Sequence, residues 1–83
     1  MKAILILARP FSKGATTKNI WQALCDNNNI EFETYDIADA IGKDIAEQHN
    51  IKSFPALIVN DKVVAVGHPD EDVARKVFDS IQL

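Results

Sequence analysis

The sequence is poor in the residues that most often carry chemistry. It holds one cysteine, Cys25, and two histidines, His49 and His68. A single cysteine excludes an internal disulfide and agrees with a reducing compartment. The two histidines are too isolated in the chain to argue for a metal site. Long apolar runs are also missing. Residues 3–8, Ala-Ile-Leu-Ile-Leu-Ala, are too short to span a bilayer. The segment that follows them, Arg9-Pro10-Phe11, is not a small-residue cleavage pattern. A cytoplasmic protein with no membrane association is expected. Positive charge is scarce: nine Lys and Arg against twelve Asp and Glu give a net charge of −3. The cations are scattered, which argues against a nucleic-acid footprint. With 83 residues and an apolar fraction of 47%, the chain suits one globular domain over 1–83, expected as a monomer.

What is present is a regular succession of patterns. Residues 2–8 run apolar without alternation, as a strand buried on both faces does. Residues 15–27 predict a helix, with Ile20, Trp21, Leu24 and Cys25 at helical spacing and Asn27-Asn28-Asn29 as its stop. Trp21 is assigned to the core or its edge. Residues 30–37 alternate apolar and polar, as a strand does. A second helix is expected over 39–49, with Ile41 and Ile45 on its apolar side and Asn50 as a left-handed stop. Ala56–Val59 and Val63–Val66 flank Asn60-Asp61-Lys62 as a β-hairpin. Gly67-His68-Pro69-Asp70 then opens a last helix. Pro69 is expected at its first position, and Asp70, Glu71 and Asp72 at its positive end. Val73, Val77 and Ile81 mark its buried face, which Ala74 and Phe78 extend. The order is β-α-β-α-β-β-α, and the first βαβ unit should be parallel.

This order, the stretch Ile51-Lys52-Ser53-Phe54-Pro55-Ala56-Leu57-Ile58-Val59-Asn60-Asp61-Lys62-Val63-Val64-Ala65-Val66-Gly67 and the closing amphipathic helix resemble the thioredoxin/glutaredoxin superfamily. The likeness is to its small, glutaredoxin-like members and covers nearly the whole chain. It implies a thioredoxin-like α/β fold, with a four-stranded mixed sheet and helices on both faces. It also implies that Pro55 is cis and faces the active-site loop. A proline just before a strand breaks no ladder bond.

The resemblance places the redox motif, Cys-x-x-Cys, after the first strand, in Arg9-Pro10-Phe11-Ser12-Lys13-Gly14-Ala15-Thr16-Thr17-Lys18. Counting from the strand puts Ser12 at the attacking cysteine and Ala15 at the resolving one. Counting back from Leu24 puts Gly14 and Thr17 there. The first register is preferred because Ser and Ala are the nearest steric stand-ins for Cys. Neither register contains a thiol. Exchange of disulfides needs a thiolate, and a serine hydroxyl does not ionise near neutral pH. Ser12 is left with a capping role. Cys25, some ten residues into the helix, reads as a small buried hydrophobe, with a monothiol role as the other possibility.

Positive side chains near the motif, the backbone beside the cis-proline and the turn after the last strand hold glutathione in glutaredoxins. The resemblance carries these to Arg9 or Lys13, Phe54 and Pro55, and Gly67 and His68. His68-Pro69 departs from the family's Gly-Gly pattern and narrows that pocket, so glutathione is an open expectation and no other cofactor is expected. Phe11 is a candidate contact for a partner or a packing residue over the helix start. Two functions follow. In one, the chain is a redox-inactive binding module with a degenerate active site, taking an extended peptide or partner protein at the groove of Ser12 and Pro55. In the other, it is a glutaredoxin-like thiol-disulfide oxidoreductase or electron carrier in cell redox homeostasis, using Cys25 or a partner's thiol. The missing dithiol favours the first.

Overall fold

Residues 2–8 and 14–81 are described by the computed structural model. Its elements are β1 (Lys2–Leu7), α1 (Gly14–Asn27), β2 (Glu31–Asp36), α2 (Ala40–Gln48), β3 (Ala56–Val59), β4 (Lys62–Val66) and α3 (Glu71–Ile81). The four strands form one mixed sheet in the order β2-β1-β3-β4. β1 and β2 are parallel, joined through α1, while β3 runs antiparallel to both β1 and β4. The apolar, unalternating stretches therefore occupy the two inner strands. β3 is buried at every residue, and β1 is fully buried at Ala3, Leu5 and Ile6.

Strand alternation divides the core. Ala3, Leu5 and Leu7 of β1 and Leu57 and Val59 of β3 join Trp21, Cys25, Ala74 and Phe78 in one cluster between the sheet and the pair α1 and α3. The Trp21 and Phe78 rings stack with centroids 5.8 Å apart. The alternate residues Ile6, Ala56 and Ile58 are buried on the other face, with Ala46 of α2.

Turns follow from single residues. Asn29 and Asn50 adopt φ of 56° and 58° just after α1 and α2, the left-handed stop that asparagine tolerates. After α1, Ile30 N–H closes on the Cys25 carbonyl at 2.9 Å. Asn60 and Asp61 both have positive φ, of 51° and 64°, which matches a two-residue hairpin turn whose twist suits the flanking strands.

Three expectations need correction. Pro69 is not the first residue of α3. That helix begins at Glu71, and Asp70 is its cap, its Oδ1 accepting the Val73 N–H at 2.8 Å. A side-chain acceptor satisfies an orphan donor, which proline cannot do. Val73 is 49% exposed rather than on the buried face, because α3 rests on Ala74 and Phe78. Ile41 is 57% exposed, and α2 turns Gly42 and Ala46 inward instead.

The reason lies in how closely α2 approaches β2. A Cβ built on Gly42 would overlap the Asp36 carbonyl oxygen and come within 2.9 Å of its carbon. Only glycine permits that approach, so the buried stripe centres on the smallest residue rather than the largest. We expect Gly42→Ala to destabilise the fold by about 1–3 kcal/mol, since overpacking against backbone outweighs the ~1 kcal/mol gain in helix propensity. Urea unfolding measures this directly, and an unchanged or raised midpoint refutes it.

Candidate functional site

The segment from Phe54 to Ala56 leads the chain into β3. Phe54 is half-buried, Pro55 is buried, and the bond between them is cis. The Pro55 carbonyl accepts the Gly67 N–H at 2.7 Å, which binds the turn after β4 to this segment. Gly67 has φ of +98°, a region that side chains disfavour. A Cβ there would meet nothing within 4 Å, so backbone conformation rather than space selects the glycine.

The next residue, His68, makes the second link. Its Nδ1 lies 2.6 Å from Thr17 Oγ1, joining residues 51 positions apart. Thr17 stands in the first turn of α1 and is 1% exposed, whereas His68 is exposed. Two hydrogen bonds thus tie Pro55, the Gly67-His68 turn and the start of α1 together. Phe54 also faces a second feature. It lines a groove of about 620 Å³ with Ile37, Ala46 and Ile51, which neither Gly67 nor His68 enters.

Of the sequence-predicted residues, the structure brings Pro55 and Gly67 into direct contact and places His68 beside them in the chain. Arg9, Phe11, Ser12 and Lys13 lie outside the described residues, and Ala15 falls in the first turn of α1. From the sequence alone, Thr17 is only a motif position in the second register. Its sequence signal is spacing: it stands four residues before Trp21 and eight before Cys25, on one helical stripe. Among the described residues, no group of three or more His, Cys, Asp or Glu could hold a metal ion. His49 caps α2, with its Nδ1–H donating to the Ile45 carbonyl at 3.0 Å. No described helix is long and apolar enough to cross a membrane.

A family model for the thioredoxin domain matches residues 3–79. The chain belongs to the thioredoxin-domain family. Solved thioredoxins share its fold at low identity. Oxidised thioredoxin from Plasmodium falciparum superposes with a TM-score of 0.75 at 13% identity, over 99% of this chain and 81% of that one. Thioredoxin 1 from Thermosipho africanus gives 0.71 at 14% identity, over 99% and 96%. A comparison with curated proteins returns no match.

Within this thioredoxin domain the chemistry of the sole cysteine is decided by burial. Cys25 is 0% exposed, inside the cluster under α1. Burial, and next the Asp26 carboxylate, push its thiol from 9.0 up to about 11. It also lies some 16 Å along the helix from the first residue of α1, at 1.5 Å per residue, beyond the reach of the N-terminal dipole. Burial and the adjacent carboxylate thus oppose the thiolate, and the helix N-terminus is too far away to favour it.

A pH consequence follows. The folded state holds the neutral thiol more strongly than the unfolded chain does. This contribution is complete below pH 9 and is lost as pH rises toward about 11. Thiolate absorbance of the native protein should therefore appear only near pH 11, and an aromatic disulfide reagent at pH 7.5 should label Cys25 only after denaturant is added. Rapid labelling of the native protein refutes the assignment.

Proposed function

We propose that this thioredoxin domain is redox-inactive and works as a binding module, taking an extended peptide or partner protein beside Pro55. The observation that carries the reading is the state of Cys25. The chain has no second cysteine, and this one is sealed in the core with a raised pKa. No thiolate is available to attack a disulfide. The reading draws on backbone instead: the segment Phe54–Pro55 and the turn bonded to it. In this mode the main chain of Phe54, just ahead of the inner strand β3, pairs with an extended chain through main-chain hydrogen bonds. The reading takes the protein as a cytoplasmic monomer, with glutathione as a small-molecule alternative for the same place.

Two measurements test this. Insulin-disulfide reduction with dithiothreitol should proceed no faster than without the protein, and Cys25→Ser should change nothing. Turnover that vanishes in Cys25→Ser would make the oxidoreductase reading correct. Linear peptides selected by display on the native protein should shift the backbone amide resonances of Phe54, Gly67 and His68. Shifts confined instead to Ile20, Ala23 and Leu24, which line a separate groove between α1 and α3, would overturn the assignment of the site.

A further inference from the structure

Thr17 is the buried polar side chain of the described core, at 1% exposure. A hydroxyl in that position needs an acceptor for its proton, because a buried donor left unpaired is costly. Among the described residues the partner is His68 Nδ1, at 2.6 Å, reached across from the turn after β4. A neutral imidazole has one acceptor nitrogen and one donor nitrogen. If Thr17 donates to Nδ1, the ring proton resides on Nε2. His68 as a residue is exposed, while its Nδ1 edge meets the buried Thr17 hydroxyl.

The backbone on both sides of His68 is restrained as well. On one side Gly67 donates to the Pro55 carbonyl at 2.7 Å with φ of +98°. On the other, Pro69 has a restricted φ and Asp70 caps α3 through Val73 and Ala74. An exposed histidine rarely has a reason to be held at one ring nitrogen and on both flanks. Here all the restraints converge on one residue next to the Pro55 segment.

We propose that Thr17 is a positioning residue. It holds His68 in the Nε2-protonated tautomer and directs that N–H outward beside Pro55, as the hydrogen-bond donor that a bound extended chain meets with a carbonyl or carboxylate oxygen. The contact rests on the peptide-binding reading, whereas the tautomer does not.

The experiment separates the two. Nitrogen-15 spectra of the His68 ring, recorded at alkaline pH on the native protein, should show protonation at Nε2 and a bare, hydrogen-bonded Nδ1. Thr17→Ser should preserve that pattern. Thr17→Val, of the same shape but without the hydroxyl, should give a tautomer mixture. A native ring protonated at Nδ1, or a Thr17→Val spectrum identical to the native one, overturns the positioning role. Binding is then measured with the display-selected linear peptides. His68→Asn keeps an amide near the Nδ1 position but removes the outward donor, and should weaken binding about tenfold, the scale of one well-placed hydrogen bond. His68→Gln, whose amide reaches the Nε2 position, should recover part of the loss, and Thr17→Ser should bind as the native protein does. Unchanged affinity in His68→Asn overturns the contact. Failure to select any peptide, with the expected tautomer in place, overturns the contact and the peptide-binding reading together while the positioning of His68 stands.

Discussion

The packing of α1 on α3, centred on the stack of Trp21 with Phe78, is the contact on which the rest of the molecule depends. Aromatic pairs of this kind contribute about 0.5–1.5 kcal/mol beyond the area they bury. The geometric effect matters more. Thr17, Trp21 and Cys25 follow one another at four-residue intervals, and all three are at most 1% exposed. Once the Trp21 ring is set against Phe78, the stripe is pressed onto Leu5 and Leu57 of the inner strands. The same rotation of α1 therefore seals Cys25 and turns the Thr17 hydroxyl inward. Phe78 acts from the other helix, whose cap at Asp70 lies two residues beyond His68. One stacked pair thus helps set both ends of the Thr17–His68 bond.

That arrangement alters what the fold has available for chemistry. In a dithiol thioredoxin the start of α1 would stabilise a thiolate through its unpaired N–H groups and its dipole. Here the one thiol lies far along the helix, where low polarity favours its neutral form, and the polar group in the first turn is a hydroxyl. Threonine does not ionise at physiological pH, but it exchanges hydrogen bonds well. The first turn of α1 thus holds a structural bond in place of a titrating group, and the bond holds a neighbouring imidazole.

Much of this was legible in the sequence, and what was not has identifiable physical causes. The inner strands were readable from Ile4 to Ala8 and Ala56 to Val59 because burial on both faces removes alternation. The hairpin was readable from Asn60-Asp61-Lys62, although the structure keeps only Asn60 and Asp61 in the turn, at positive φ, and gives Lys62 to β4. Cys25 and Trp21 were readable from helical spacing. The face of α2 was not, because its closeness to β2 is decided by the carbonyl of Asp36, and no periodicity of large residues reports a glycine contact. Val73 misled for a related reason: α3 contacts the core at Ala74 and Phe78, a narrower stripe than its apolar residues suggest. The bond from Thr17 to His68 spans most of the chain, and nothing local at either residue announces it. The four-residue spacing of Thr17 from Trp21 is a burial signal that the sequence analysis did not use, and only the tertiary structure names the acceptor.

His68 brings these strands of argument together. The resemblance to glutaredoxins implies a Gly-Gly pattern after the last strand, a turn that can meet a ligand with bare backbone. This chain retains the first glycine, whose φ of +98° suits it, and has a histidine where the second would be. An unrestrained side chain there would compete with a bound chain for the space beside Pro55 and would lose rotamer freedom on binding. Anchoring one edge of the ring to a buried hydroxyl removes most of that freedom before any ligand arrives, so the entropic cost falls on folding rather than on association. Under the peptide-binding reading, recognition by backbone alone becomes recognition by backbone plus one directed side-chain donor. Such a donor discriminates among oxygen acceptors, because a ligand that leaves it unpaired forfeits its hydrogen bond to water as well. On that reading His68 is the side chain that sets selectivity among oxygen acceptors, and the bond to Thr17 fixes the direction of its donor.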